Sequence, residues 1–376
     1  MLAEDRPPNR AARVLLVALV ASALPGCGTV YVAQAAMGQW HVMHARRPID
    51  AVVLDKRTPE PLREELFRVR EAREFASTEL KLPDNRSYRT YADIHRPYVV
   101  WNVVATPEFS VAPKRWCFPI AGCVAYRGYF SERKAHDFAA GLAKQGYDVA
   151  VGGVPAYSTL GKFADPVLST MLGYGEDELA ATIFHELAHQ LLYVKNDTEF
   201  NEAFAMTVEE AGLRRWLTQR GQPGSIVGFR RQREREREFV DLFTHTRDQL
   251  AKLYASGQPQ ADMRARKRLI LAQLATDLSA LERRLQVRSS VYDRWIEEGL
   301  NNAHLTSLAT YYDCLPGFEH LLAQQDGDLP RFYAAARELA ELPRAQRHAK
   351  LCKQTPPPAL PTAQCRSRRL SATESK

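Results

Sequence analysis

The chain has 376 residues, 45% of them hydrophobic, and a formal net charge of +7. That length buries a sizeable core, in one large domain or in one domain with a protruding part. The charge does not mark a nucleic-acid binder. From Pro343 onward eight Lys or Arg face Glu374 alone, so the remainder is near neutral, and no nucleic-acid motif is present.

Arg10 and Arg13 precede the apolar run VLLVALVASAL, followed by Pro25, Gly26 and Cys27. The run is short for a bilayer span, and basic, apolar and small residues in this order make a secretory leader. The ending LPGC resembles the bacterial lipobox, which implies cleavage after residue 26 and a lipid on Cys27. An uncleaved anchor helix and plain secretion are the alternatives. Gly28 directly after that cysteine implies, by the sorting rule for such proteins, the outer membrane over the inner, with the protein facing the periplasm. Residues 1–26 are therefore a lipoprotein signal peptide and take no part in the fold.

Along the mature chain, residues 31–49 read as a helix. Residues 59–80 read as a second one, with Thr58 as its cap and prolines confined to its first turn. Strand-like runs follow at 88–94, 98–105, 123–129 and 148–154, with a helix over 133–145 between the last two. Cys117 and Cys123 flank FPIAG and are close enough to close a small disulfide loop in an oxidising envelope. Cys314, Cys352 and Cys365 leave an odd count, and no C-x-x-C spacing points to a cysteine metal site. Tyr157, in VGGVPAYSTLGKF, is a candidate to bind a substrate carbonyl or oxyanion. Its ordinary alternative is a packed aromatic with its hydroxyl on backbone.

The most specific string is FHELAHQ. On a helix spanning 177–194, His185 and His189 share one face and can reach a single zinc ion. Glu186 beside them is placed to take a proton from a zinc-bound water. Ala180, Ile183, Phe184, Leu187 and Leu191 supply the apolar helical spacing, and Glu176, Asp177 and Glu178 favour the helix start. A turn at 195–198 leads to a second helix, TEFNEAFAMTVEEAGLRRWL. Two acidic residues on it, Glu202 and Glu209, lie on one face two turns apart. Either could complete the site or orient a histidine.

In these strings the chain resembles the gluzincin metallopeptidases, whose second helix supplies a glutamate from an Asn-Glu-Ala-type string. The resemblance implies His185, His189 and Glu202 as ligands of Zn2+ and Glu186 as general base. The gap from His189 to Glu202 is shorter than in thermolysin-like enzymes, so the connection must be a tight turn. More widely, the chain resembles the predicted aminopeptidases of proteobacteria, lipoprotein-like metallopeptidases. The carrying strings are YVAQAAMGQWHVMHARRPI, WCFPIAGCVAYRGYF, AYSTLGKFADPVLSTM, FHELAHQLLYVKNDTEFNEAFA and NNAHLTSLATYYDCLPGFEHLL. The resemblance implies a peptide substrate. The glutamate that holds the free amino end in gluzincin aminopeptidases has no counterpart here, because VGGVPAYSTLGKF contains no acidic residue before Asp165.

Beyond Gly224 the composition shifts. Residues 230–254 and 264–285 read as a helical hairpin, charged outside and apolar inside. Downstream, where gluzincins place an oxyanion-stabilising Tyr or His, stand His304, Tyr311, Tyr312 and His320. Tyr311 and Tyr312 are the better candidates by family position, Tyr312 being the one assigned here, and ordinary helix packing is the alternative for all four. The other histidines read as structural or exposed.

The expected architecture is α+β and zincin-like: a small sheet ahead of a zinc-binding helix pair, with a long C-terminal helical hairpin. Its parts are a catalytic domain over 27–224, a helical subdomain over 225–342 that completes the site, and a disordered basic tail over 343–376. The expected activity is zinc-dependent peptide hydrolysis. A zinc-stapled lipoprotein without activity, or a zinc hydrolase of a non-peptide cell-wall bond, are the competing classes. Oligomeric state is not legible.

Overall fold

The computed structural model describes residues 26–118, 122–173, 175–309 and 314–352. The fold is α+β, built from helices around three small sheets. The leader and the distal tail, with Cys365, lie outside the described residues, as do Tyr311 and Tyr312; Cys27 lies in a described helix, but its side chain does not belong to the described part.

Helix α1 covers Gly26–His44 and ends before the expected Ile49. The chain turns there because Arg46–Pro48 (β1) pairs antiparallel with Thr90–Ala92 (β2), which in turn runs parallel to Val167–Leu168 (β8). A short helix α2, Ile49–Leu54, leads to α3, Glu60–Thr78. Thr58 does not cap α3. Its hydroxyl donates to the Val52 carbonyl at 2.7 Å, and Pro59 occupies the cap position.

Strand β3, Val100–Pro107, is the centre of the second sheet, between β6, Arg127–Tyr129, and β7, Tyr147–Val154, both antiparallel to it. Helix α4, Glu132–Ala143, is capped by Ser131 and lays Ala135, Ala139 and Leu142 on Trp101, Val103 and Ala105. The stretch 123–129 is not one strand. Gly122–Val124 (β5) pairs with Trp116–Phe118 (β4) in a hairpin joined by the Cys117–Cys123 disulfide, and the chain breaks at Ala125 and Tyr126 before β6.

Helices α5, Glu176–Leu191, and α6, Thr198–Gln219, pack along each other at the centre of the main core. Ser225–Tyr254 (α7) and Gln260–Leu285 (α8) form the long hairpin, with its own core around Phe243, Leu250, Leu274 and Leu278. Helices α9, Ser290–Glu298, and α10, Asn302–Ala309, tie the hairpin to the sheet. There the Asn302 amide donates to the Glu108 carbonyl at 2.9 Å, and the Lys267 ammonium meets the Asp148 carboxylate.

The remaining helices, α11 (Leu315–Gln324), α12 (Leu329–Glu341) and α13 (Arg344–Leu351), return to α6. Phe318, Phe332 and Tyr333 surround Phe204 of α6. The main core thus runs from Val42 to Leu351. Trp295 of α9 and Leu305 of α10 share the hairpin's core, whereas α11, α12 and α13 pack in the main core with α5 and α6.

The tail corrects an expectation over its first residues, where Arg344–Leu351 is a packed helix. Asp197 draws it in. This carboxylate is fully buried, caps α6 by accepting from Phe200 N, accepts from Arg347 Nε at 2.5 Å and bonds His348 Nε2 at 2.7 Å. Burial raises its pKa, but the bonds from His348 and Arg347 win and hold it at about 2. The Cys314–Cys352 disulfide pins the far end of the same helix to α11.

Two predictions follow from burial. Asp197→Ala leaves Arg347 buried and uncompensated and removes the α6 cap, so stability should fall by about 3–5 kcal/mol in denaturant titration; a loss under about 1 kcal/mol would contradict the role given to this carboxylate. His304 is buried against Trp295, its Nδ1 accepts from Asn301 N at 3.2 Å, and desolvation lowers its pKa from 6.5 to about 4. The unfolded chain therefore takes up a proton that the folded chain refuses. Stability should fall as pH drops from about 6.5 to about 4 and then level. Urea midpoints for His304→Gln should show a flatter pH dependence in that window; an unchanged slope would rule His304 out as its source.

Candidate metal centre

The centre is built on the α5–α6 pair. Leu179, Ala180, Ile183, Phe184, Leu187 and Ala188 bury one side of α5. Spacing of four residues then stacks His185 and His189 on the adjoining face. Glu176, Asp177 and Glu178 occupy the first turn of α5, where the helix dipole favours them.

The turn into α6 is held from several directions. Asn201 spans it, accepting from Val194 N and donating to Val194 O, both at 2.8 Å. Asn196 adopts a left-handed conformation (φ 66°), and its side chain accepts from Cys123 N at 2.6 Å. Gly122 makes that approach possible, since a Cβ there would lie 2.6 Å from Asn196 Oδ1. In NEAFA, then, Asn201 closes the turn and Glu202 faces the histidines.

Three donors converge. His185 Nε2 and His189 Nε2 are 3.1 Å apart, and the Glu202 carboxylate lies 3.3 Å from the first and 3.7 Å from the second. Glu209 approaches from the other side of the same imidazole: its Oε2 bonds His185 Nδ1 at 2.8 Å, while its Oε1 pairs with Arg233 of α7. The two glutamates therefore occupy opposite nitrogens of one ring. His189 Nδ1 is buried and finds no hydrogen-bond partner among the described residues.

Electrostatics follow the geometry. Burial lowers the His185 pKa, but Glu202 and Glu209 on its two nitrogens outweigh it and raise the value to about 10. Burial pushes Glu202 up, and His189 and His185 pull it well below the usual carboxylate range. Glu209 is likewise pushed up by burial and pulled down by Arg233 and His185. Glu186 differs: burial dominates and its pKa is raised, with His189 and His185 only partly opposing. It is the carboxyl of the group with the greatest affinity for a proton.

Other candidates fall elsewhere. The Tyr157 hydroxyl donates to Gln39 of α1, and its ring packs edge-on against Phe130. His304 is committed to Trp295 and Asn301, and His320 is an exposed neighbour of Gln324. Residues not expected at the site stand close to it. Tyr126, exposed between β5 and β6, and Tyr193, just past α5, lie within electrostatic reach of Glu202, and Tyr126 of Glu186 as well. Tyr88 and Asp165, both buried, lie within electrostatic reach of Glu186. Asp165 accepts from both Thr159 N and Thr159 Oγ1, and burial raises it to about 6. Tyr126 sits inside WCFPIAGCVAYRGYF, but nothing in that string ties it to a helix pair so far along the chain.

A sheet edge is also available. Val154 O accepts from Val99 N on the β3 side, whereas Val149 O accepts from the Asn301 amide on the other. Strand alternation puts the main-chain groups of Val151 and Gly153 on that outer edge, where β7 pairs with no other strand among the described residues. A cavity of about 340 Å³ lies on an adjacent face of α6, between α7 and α11, lined by Met206, Glu210, Arg230, Arg233 and Arg237 among others. It adjoins the centre only through Arg233 and Glu209.

Comparison with known proteins gives one result. No curated protein and no solved structure matches the chain. A family model does, over residues 30–351, and its description is "Putative aminopeptidase". The matched stretch runs from α1 to the end of α13 and contains the whole centre, so the chain belongs to this aminopeptidase family, whose general activity is peptide hydrolysis.

Proposed function

We propose that the protein is a zinc-dependent metallopeptidase of the bacterial cell envelope, held to the membrane by a lipid on Cys27. The observation that carries the metal assignment is the spacing of the three donors. A tetrahedral ion with bonds of about 2.0–2.1 Å separates its ligand atoms by roughly 3.3–3.4 Å. The separations here are 3.1 Å between the two Nε2 atoms, 3.3 Å from His185 Nε2 to Glu202 Oε2 and 3.7 Å from His189 Nε2 to Glu202 Oε1. Two imidazoles and one carboxylate are also the donor set of catalytic zinc sites, which keep a fourth position open. His185, His189 and Glu202 would hold the ion, with Glu209 orienting His185 through Nδ1. Once bound, zinc would supply Lewis-acid polarisation of the scissile carbonyl and acidify water.

The chain's own groups account for the rest. Glu186 accepts the proton of the attacking water and returns it to the leaving amine, a task suited to a carboxyl whose pKa burial has raised. An extended substrate adds to the free edge of β7 through Val151 and Gly153, as strand-binding sites do. Tyr126 and Tyr193 stand on the side of Glu202 and are the hydroxyls best situated to meet charge developing on a carbonyl oxygen. The zincin-like architecture assigned to the α5–α6 pair and its sheets belongs to the same proposal. The one acid of VGGVPAYSTLGKFAD, Asp165, is spent on Thr159. That string therefore offers no free carboxylate for a substrate amino group, and cleavage within peptides is compatible with the site.

Metal analysis of the purified protein should find about one zinc per chain, lost in His185→Ala with His189→Ala. Glu209→Ala should weaken zinc binding about 10–100-fold, as loss of an orienting partner does, and Glu202→Ala by at least about tenfold more. Equal effects, or the reverse order, would exchange the roles of the two glutamates. Glu186→Gln should keep zinc and fold while losing about 10²–10⁴ in peptide turnover. Undiminished turnover would make the zinc structural, and zinc-dependent activity on cell-wall material but on no member of a peptide library would move the assignment to a non-peptide bond.

A further inference from the structure

Helix α1 has two unlike faces. The inner one is fully used. Gly38 packs against Phe130 so closely that a Cβ would clash with the ring's Cγ and Cδ2. Gln34 donates to Gly128 O and accepts from Phe130 N, both at 3.3 Å. Tyr31 stacks on Phe118, and Gln39 receives the Tyr157 hydroxyl. The helix is therefore a fixed part of the fold.

The outer face is open and apolar. Val32 is 57% exposed, Met37 57% and Trp40 51%, and Ala33 and Ala36 are exposed between them, all at helical spacing. The 19 residues of α1 contain no Asp, Glu, Lys or Arg. The polar groups at the end of the face are His41 and His44, whose rings lie 5.2 and 3.8 Å from the Trp40 ring. No described helix is long and apolar enough to cross a membrane.

What covers this face is indicated by where the chain comes from. Residues 14–24 are the apolar run of the leader, and LPGC ends at Cys27, the second residue of α1 itself. A lipid on that cysteine brings the start of the helix to the bilayer surface, and Trp40 follows roughly 20 Å along the axis. An uncharged helix with Trp and Met on one side, rigidly mounted on the protein by the other, matches the chemistry of the interface between headgroups and acyl chains. We propose that the outer face of α1, through Val32, Met37 and Trp40, lies in the lipid interface and seats the catalytic domain flat on the membrane. The anchor in this inference rests on the lipobox reading above; the face is independent of it. The seat also sets an orientation, since α1 holds β6, and β6 continues from Tyr126 beside the metal centre.

The test uses full-length protein purified from membranes and reconstituted on vesicles of equal parts phosphatidylethanolamine and phosphatidylglycerol. Subtracting the emission of Trp40→Phe from that of the wild type isolates Trp40. Brominated phospholipid should quench this signal at least about twofold, and aqueous iodide should not. Trp40→Glu should remove the protection of the neighbouring α1 amides from hydrogen exchange on vesicles and leave peptide turnover in solution unchanged. Quenching by iodide and not by brominated lipid would overturn the proposal. Shielding from both, with a cross-linked dimer abolished by Trp40→Glu, would overturn it in favour of a second copy of this chain. Mass spectrometry of Cys27 tests the anchor separately: an unacylated cysteine with Trp40 still quenched by lipid would remove the anchor and leave the seat standing.

Discussion

His185 is gripped at both ring nitrogens by carboxylates of the same helix, Glu202 at Nε2 and Glu209 at Nδ1. Placing an imidazole and two carboxylates out of water is unfavourable unless each finds a partner, so this contact dictates how α5 and α6 must lie. The helices run close enough for Glu202 to reach both histidines, and α6 is turned so that Glu209 passes behind His185. Arg233 of the long hairpin is then drawn in, because Glu209 has a second oxygen facing away from the ring. One buried network thus couples the His185–His189–Glu202 cluster to a helix from a different part of the chain.

The turn between the two helices receives comparable attention from the rest of the fold. Asn201 clamps it from within, Asn196 reaches the disulfide-closed hairpin, and Asp197 reaches Arg347 and His348. The last two bonds come from segments remote in sequence. The common physical reason is that a short connection between packed helices leaves unpaired polar groups, and buried polar groups require partners. Through Asn196 and Asp197 the hairpin and the C-terminal helix hold the turn, and a site built on two helices is only as accurate as the turn that sets their register.

The family description names an aminopeptidase, and general peptide hydrolysis agrees with the donor set and with Glu186. Selection of a free amino terminus is a different chemical demand, requiring an unspent carboxylate near the carbonyl-binding position. Asp165 is the nearest acid of the string where such a group would stand, and both its oxygens are taken by Thr159. The edge of β7 makes no distinction between the end and the middle of a peptide, because it offers only main-chain groups.

Sequence alone determined what depends on local periodicity and short-range chemistry. The helix with His185, Glu186 and His189 on adjoining faces, the second helix with Glu202, the long hairpin and the two long strands β3 and β7 all follow from spacing that one stretch of chain carries by itself. The centre was legible for the same reason, both helices being neighbours in sequence. What only the tertiary structure decided is what depends on partners far along the chain. Thr58 lost its cap role to a bond with Val52, the run 123–129 broke into two sheets, and Tyr157 was taken by Gln39. The basic segment after Pro343 became a helix because a buried carboxylate at Asp197 needed its cations. Tyr126, within electrostatic reach of Glu202, lies in a segment that the Cys123–Asn196 bond ties to the turn before α6. No local pattern encodes these contacts, for each is selected by the desolvation of a polar group whose partner is fixed only once the chain has folded.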